Sequence, residues 1–294
     1  MQTNPIEQLK IAEIPISIYC QTHPYFSDDV FNAFRYQSPP EVQMHLSYNR
    51  FPHMDVNKMD LLFDSQTTWR LYKSRDHVVF IQKSTICDYS HPLMASLFKN
   101  DYCQADVYIQ TNHSDDPEDI FNPHPLDYPL GQIWMISLLA RNRGAMFHAC
   151  GVDDQGDGLL FTGNSTHGKS TMANLWIQNH AQILNDDRVV VRQVKESFRI
   201  YGTPWHGDIS VTSSHSVPLK KIFIIRHADK NQLKRVEGAE ALSMLIARMF
   251  PVIWDKSGME FTLDLCARMA EEVPCYELGF KPDSDIIDFV RCAI

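Results

Sequence analysis

Gly163-Asn164-Ser165-Thr166-His167-Gly168-Lys169-Ser170, followed by Thr171, fits the Walker A pattern G-x-x-x-x-G-K-[ST]. The chemistry of such a loop is anion binding. Two glycines let the backbone curl so that successive N–H groups converge on phosphate oxygens. A helix that opens at the loop adds the positive end of its dipole. Lys169 would carry a cation to the outer phosphates, and the Ser170 hydroxyl would reach Mg²⁺. Nucleotide contacts are therefore expected from Gly163, Asn164, Ser165, Thr166, His167, Gly168, Lys169, Ser170 and Thr171. The setting agrees, because the apolar run Leu159-Leu160-Phe161 predicts a strand before the loop and Ser170–His180 predicts a helix after it.

Two carboxylates follow closely. Gln182–Asn185 reads as a short strand that ends in Asp186-Asp187. In nucleotide-dependent phosphoryl transfer one carboxylate helps to hold the metal and another accepts the proton of the attacking hydroxyl. If the strand after the loop's helix returns to the same end of a parallel sheet, both acids reach the ligand side. A third polar cluster, Thr203-Pro204-Trp205-His206-Gly207-Asp208, lies on a Gly/Pro-bearing loop, where functional groups often sit.

The elements that must position these groups show a change of pattern along the chain. Residues 1–125 hold short strand-like runs at Ile14–Tyr19, Asp60–Phe63, Trp69–Tyr72, His77–Gln82 and Asp106–Gln110, separated by turn residues. Prolines and acidic residues between Asn112 and Pro129 predict a junction. Beyond it a helix is expected over Leu130–Arg141, strands over Gly144–Val152, Val189–Arg192, Phe198–Tyr201, Lys221–Arg226 and Cys275–Phe280, and an amphipathic core helix over Glu237–Phe250. Strands mixed with helices give an α/β class for this part. The predicted division is 1–125, a smaller β-rich or α+β module, and 126–294, the catalytic domain.

The 294 residues suffice for two ordinary domains. A net charge of −9 argues against a nucleic-acid partner. No apolar run is long enough to span a bilayer, Ile133–Ala140 being far too short, and Met1–Lys10 lacks the apolar core of a signal peptide, so no membrane association is expected. Seven scattered cysteines without a C-x-x-C pair fit free thiols in a reducing cytoplasm better than a disulfide framework or a zinc site. Asn57-Lys58-Met59-Asp60 and Asp255-Lys256-Ser257-Gly258 match GTPase motifs only by chance, because their order about the loop is wrong.

Taken together, the sequence resembles the C-terminal catalytic domain of HPr kinase/phosphorylase and the wider HPr-kinase-like family, which shares its core with ATP-dependent phosphoenolpyruvate carboxykinase. Three segments carry the likeness: Phe147-His148-Ala149-Cys150-Gly151-Val152, Gly163 to Thr171, and Leu184-Asn185-Asp186-Asp187-Arg188-Val189. The resemblance implies a P-loop kinase that uses ATP and Mg²⁺. It implies that His148 lies near the transferred phosphate and that Asp186 and Asp187 supply the base and the metal contact. Asp186 is taken as the base and Asp187 as the metal ligand, an assignment in which the two could be exchanged, with Ser170 and Asp208 as further metal ligands and Lys169 stabilising charge. The family's Glu-x-Arg-Gly-Leu-Gly signature is absent, and Tyr201–Asp208 stands in its place. That departure points to the divergent branch, with a hydroxyl acceptor on a protein, peptide or metabolite rather than HPr itself. Analogy with the family also points to a homo-oligomer. The alternative class is a nucleotide-binding sensor or scaffold, which would keep the loop but need no poised carboxylate.

Overall fold

The computed structural model describes residues 4–21, 29–83, 92–111, 123–164 and 167–292. They are α/β, with two mixed sheets, and they divide into two compact units. One comprises residues 1–138 with 253–255, the other 139–252 with 256–294.

The first unit is built on one sheet of β1 (Glu7–Ile11), β2 (Ile14–Cys20), β3 (Val42–Tyr48), β4 (Asp60–Asp64), β5 (Trp69–Lys73), β6 (His77–Lys83), β7 (Pro92–Lys99) and β8 (Gln104–Ile109). The order is β1-β2-β3-β8-β7-β6-β5-β4. Strands β2, β3 and β8 run parallel and the other pairs are antiparallel. Period-two alternation buries Ile14, Ile16 and Ile18, Val42, Met44 and Leu46, and Ala105, Val107 and Ile109 on one face.

Helix α1 (Leu130–Leu139) belongs to this unit over most of its length. The division falls at Leu138/Leu139 and not at 125/126. The reason is Trp134, which is fully buried, stacks parallel to Phe98 and donates its indole N–H to the Tyr102 carbonyl at 2.8 Å. An indole that buries its face and satisfies its one donor fixes the helix to that core. Trp254 is also part of this unit, donating to Ser137 Oγ at 3.1 Å and packing on Phe63. Most of the Pro/Asp-rich junction expected at 112–129, residues 112–122, lies outside the described residues.

The second unit has a sheet of β9 (Ala145–Asp154), β10 (Asp157–Thr162), β11 (Gln182–Asn185), β12 (Arg188–Val194), β13 (Ser197–Tyr201), β14 (Ser216–His227), β15 (Gln232–Val236) and β16 (Cys275–Phe280). Helices α2 (Lys169–Gln178), α3 (Gly238–Ile246), α4 (Lys256–Glu272) and α5 (Asp285–Cys292) cover it. Alternation along the central strands assigns the layers. Leu160, Ile222 and Ile224 face the cluster that holds Ala241 and Leu245 of α3 and Leu265, Cys266 and Met269 of α4. Their neighbours Leu159, Phe161, Phe223 and Ile225 face Met172, Ala173 and Trp176 of α2 and Ile286, Ile287 and Val290 of α5. Helices on both faces explain why Leu159-Leu160-Phe161 is an unbroken apolar run.

Strand β10 pairs with β14 in parallel, and β14 with β16 in parallel. Strands β10 and β11 are parallel to each other but not adjacent, because each pairs antiparallel with β9, which lies between them. The carboxyl ends of β10, β11 and β14 therefore share one end of the sheet. The antiparallel course of β9 brings its early residue His148 to that same end, opposite Arg188 of β12.

Candidate functional site

The chain passes from buried Thr162 at the end of β10 into Gly163, and α2 begins at Lys169. Gly168 caps α2 with φ +94°, a left-handed conformation that suits glycine. Space demands glycine as well, since a Cβ there would lie 2.7 Å from Phe280 Cζ and 2.8 Å from His227 Cε1. Gly168 makes no side-chain cap hydrogen bond to the helix, whose first N–H groups have no partner within it. Ser165 and Thr166 lie outside the described residues.

An open cleft of about 450 Å³ sits at this end of the sheet, lined by His148, Gly168–Thr171, Asp186, Asp187, Gly207, Asp208 and His227. The structure thus brings together most of the predicted site: His148, Gly168, Lys169, Ser170, Thr171, Asp186, Asp187 and Asp208. Gly163, Asn164 and His167 lie on the loop but do not line the cleft. His167 is turned to the Ile225 carbonyl at 3.2 Å.

Lys169 is 7% exposed. Its ammonium lies 3.3 Å from the Gly163 carbonyl and 3.4 Å from the Asn164 carbonyl. Burial pushes its pKa down, and Asp187 partly opposes that shift. A buried cation whose hydrogen bonds, among the described residues, are two long contacts to neutral carbonyls is incompletely compensated and favours an arriving anion. Ser170 Oγ donates to Asp208 Oδ2 at 3.2 Å, joining the start of α2 to the 203–209 loop.

The two aspartates differ sharply. Asp186, 2% exposed, accepts Gly207 N–H at 2.7 Å on Oδ1 and Ile209 N–H at 2.9 Å on Oδ2. Asp187 binds His148 Nε2 at 2.8 Å through Oδ1 and the Arg188 guanidinium through Oδ2. Burial raises the Asp187 pKa, but the His148 hydrogen bond and the charges of Arg188 and Lys169 outweigh it, so the carboxyl is held below its ordinary value. Arg188 also lies over the Phe250 ring at 4.3 Å.

Asn185 makes the turn between β11 and β12 rigid. Its Oδ1 accepts the N–H groups of Asp187 at 2.8 Å and Arg188 at 2.7 Å, and its Nδ2 donates to the carbonyls of Thr203 at 3.0 Å and Trp205 at 3.1 Å. Thr203 Oγ1 in turn donates to the Arg188 carbonyl at 2.6 Å. Trp205 is buried. The 203–208 stretch is thus in part an anchored turn, and its contribution to the cleft is Gly207 and Asp208. A Cβ on Gly207 would meet Asp187 Cβ at 2.8 Å and Asp186 Oδ2 at 2.9 Å.

Sequence reasoning missed Arg188, Asn185, Gly207 and His227 as site residues. His227 could have been found by extending the predicted strand Lys221–Arg226 by one residue, because the end of a central parallel strand is where ligands sit. Among the described residues no group of three or more His, Cys, Asp or Glu side chains could hold a metal ion. That donor set fits Mg²⁺, which needs only one or two carboxylates beside phosphate oxygens and water, and not a dedicated protein cage.

No family model matches the chain, and no curated protein matches it. Among solved structures, the HPr(Ser) kinase/phosphatase of Coxiella burnetii is similar with a TM-score of 0.33 and 14% identity, over 50% of this chain and 95% of that one. A likeness of that size carries no argument about activity.

Proposed function

We propose that the second unit is a phosphotransferase that moves the terminal phosphoryl group of ATP to a hydroxyl. The observation that supports it is the convergence of Gly168–Thr171, His148, Asp187 and Asp208 on one cleft. Gly168–Thr171 would hold the polyphosphate, with the first N–H groups of α2 and Lys169 set against negative charge. Ser170 and Asp208, already in contact, would hold Mg²⁺, which supplies neutralisation of phosphate charge.

Of the two assignments open to the aspartates, the geometry favours Asp187 as the one that handles the proton. Both oxygens of Asp186 are occupied by backbone N–H groups, so Asp186 is a positioning residue that fixes the 207–209 backbone and is not the base. Both oxygens of Asp187 are occupied by His148 and Arg188, so it leaves the metal to Asp208. The Asp187–His148 pair takes the proton as the acceptor oxygen attacks the terminal phosphorus and the bridging P–O bond breaks. A carboxylate bonded to one imidazole nitrogen fixes the tautomer and leaves the other nitrogen to exchange a proton.

Terminally labelled ATP with Mg²⁺ and cell extract tests the reading. The wild-type chain should label an acceptor. Asp187→Asn should lose about 100-fold or more of the transfer rate, the scale of general acid–base catalysis, while still binding nucleotide. Transfer by Asp187→Asn at near wild-type rates would refute the assignment. Nucleotide binding without any transfer by the wild type would favour a sensor.

A further inference from the structure

The first unit has a cleft of its own, about 600 Å³, at the carboxyl ends of the parallel strands β2 and β3. A crevice beyond the carboxyl ends of parallel strands is where open sheets bind ligands, and this volume suits a small molecule. Tyr19 and His45 are cross-strand partners, and their rings stack at 5.1 Å with planes 19° apart. His45 is exposed and Tyr19 half-buried, so the stacked pair leaves an outer ring face at the cleft wall. Arg50 is exposed and also lines the cleft. Among the described residues no hydrogen bond or ion pair engages its guanidinium.

The remaining lining narrows the ligand class. In a chain of net charge −9, no Asp or Glu among the described residues lines this cleft, and Arg50 is the one permanently charged side chain among them. Asn49 is not available, since its amide is exchanged with Thr111: Nδ2 donates to Oγ1 at 2.8 Å and Oδ1 accepts the Thr111 N–H at 2.9 Å. Tyr48 stays a neutral phenol, because burial, and secondarily Cys20, push its pKa upward. The cleft therefore combines a π surface with one unopposed guanidinium fork, which matches a carboxylate in the plane of a ring.

We propose that this cleft is a binding site for a small planar anion, an aromatic ring system bearing a carboxylate, stacked on Tyr19 and His45 and paired with Arg50. The site lies within the first unit and does not depend on phosphoryl transfer in the second.

Ligand-observed NMR and calorimetry on the full chain test it with three probes: 2-naphthoate, its neutral amide 2-naphthamide, and the non-planar anion cyclohexanecarboxylate. The expected order places 2-naphthoate at least fivefold tighter than either control. Arg50→Gln should remove the preference for 2-naphthoate over 2-naphthamide, and Tyr19→Ala should weaken both aromatic probes at least fivefold. Arg50 is exposed, so its variant should keep the wild-type melting midpoint, which separates loss of binding from loss of fold. Lys169→Met should bind 2-naphthoate as the wild type does. The proposal is overturned if 2-naphthoate fails to bind, binds no better than its controls, or binds equally to the Arg50→Gln chain.

Discussion

Replacing Asn185 by leucine tests how the cleft is assembled. The Asn185 amide serves four backbone groups at 2.7–3.1 Å: two N–H donors on the β11–β12 turn and two carbonyls on the 203–205 loop. Leucine has the same number and branching of side-chain heavy atoms and satisfies none of them. A buried polar group left without a partner costs about 1–3 kcal/mol. Four such groups, with some relief from local relaxation, give a loss of about 4 kcal/mol, a large part of the stability of an ordinary domain. Urea denaturation measures it, and hydrogen exchange at the Asp187 and Arg188 amides locates it, because those two protons should lose protection first. Asn185→Asp keeps the acceptor side but turns a buried carboxylate oxygen on the Thr203 and Trp205 carbonyls, so it should lose stability as well. A loss below about 1 kcal/mol for Asn185→Leu, with unchanged protection at 187 and 188, would refute the view that this side chain ties the acidic turn to the Asp208 loop.

Other expectations follow from the same geometry. Gly168→Ala should abolish nucleotide binding in calorimetry, because the new methyl group meets Phe280 and His227 at under 3 Å and the φ of +94° is strained for alanine. Lys169→Met should raise the thermal midpoint while removing nucleotide affinity, since burial disfavours the charged amine. The sign of the pH effect agrees. With a folded pKa below the unfolded 10.5, the unfolded chain binds more protons between the two values, so wild-type stability rises with pH in that window and the Lys169→Met chain lacks the rise. Asp187 gives the same sign at the acid end, because its charged form is the one the fold favours. Its folded pKa lies below 3.8, so its stabilising contribution is complete above that value and is lost as pH falls through the folded one; Asp187→Asn should flatten acid denaturation there.

Much of the site was legible because phosphate chemistry imposes a contiguous pattern. Gly168, Lys169, Ser170 and Thr171 declare themselves by spacing, and the buried run before them could only be a central strand. The expected strands over residues 159–162, 182–185 and 275–280 lie within observed ones. The resemblance singled out His148 and the acidic pair, and both line the cleft. What was not legible depends on pairing across long separations. That Asp186 is spent on Gly207 and Ile209, and Asp187 on His148 and Arg188, follows from where β9 lies between β10 and β11, and local sequence does not encode that placement. Helix α4 escaped notice because its buried positions, Thr262, Leu265, Cys266 and Met269, have helical spacing but include polar or weakly apolar types. Strand β15 escaped because a polar edge strand lacks alternation. The unit boundary was misplaced because prolines mark where regular structure stops, and only the burial of Trp134 shows to which core α1 belongs.

The most direct test of the central claim is titration of the full chain with Mg²⁺ and a non-hydrolysable ATP analogue, repeated with Ser170→Ala and Asp208→Asn. The account predicts saturable one-to-one binding by the wild type, with the Mg²⁺-dependent part of the affinity lost in both variants and Mg²⁺-independent binding retained. If the analogue does not bind the wild type, or if both variants keep the full Mg²⁺ dependence, the cleft at the end of β10, β11 and β14 is not a phosphotransfer site.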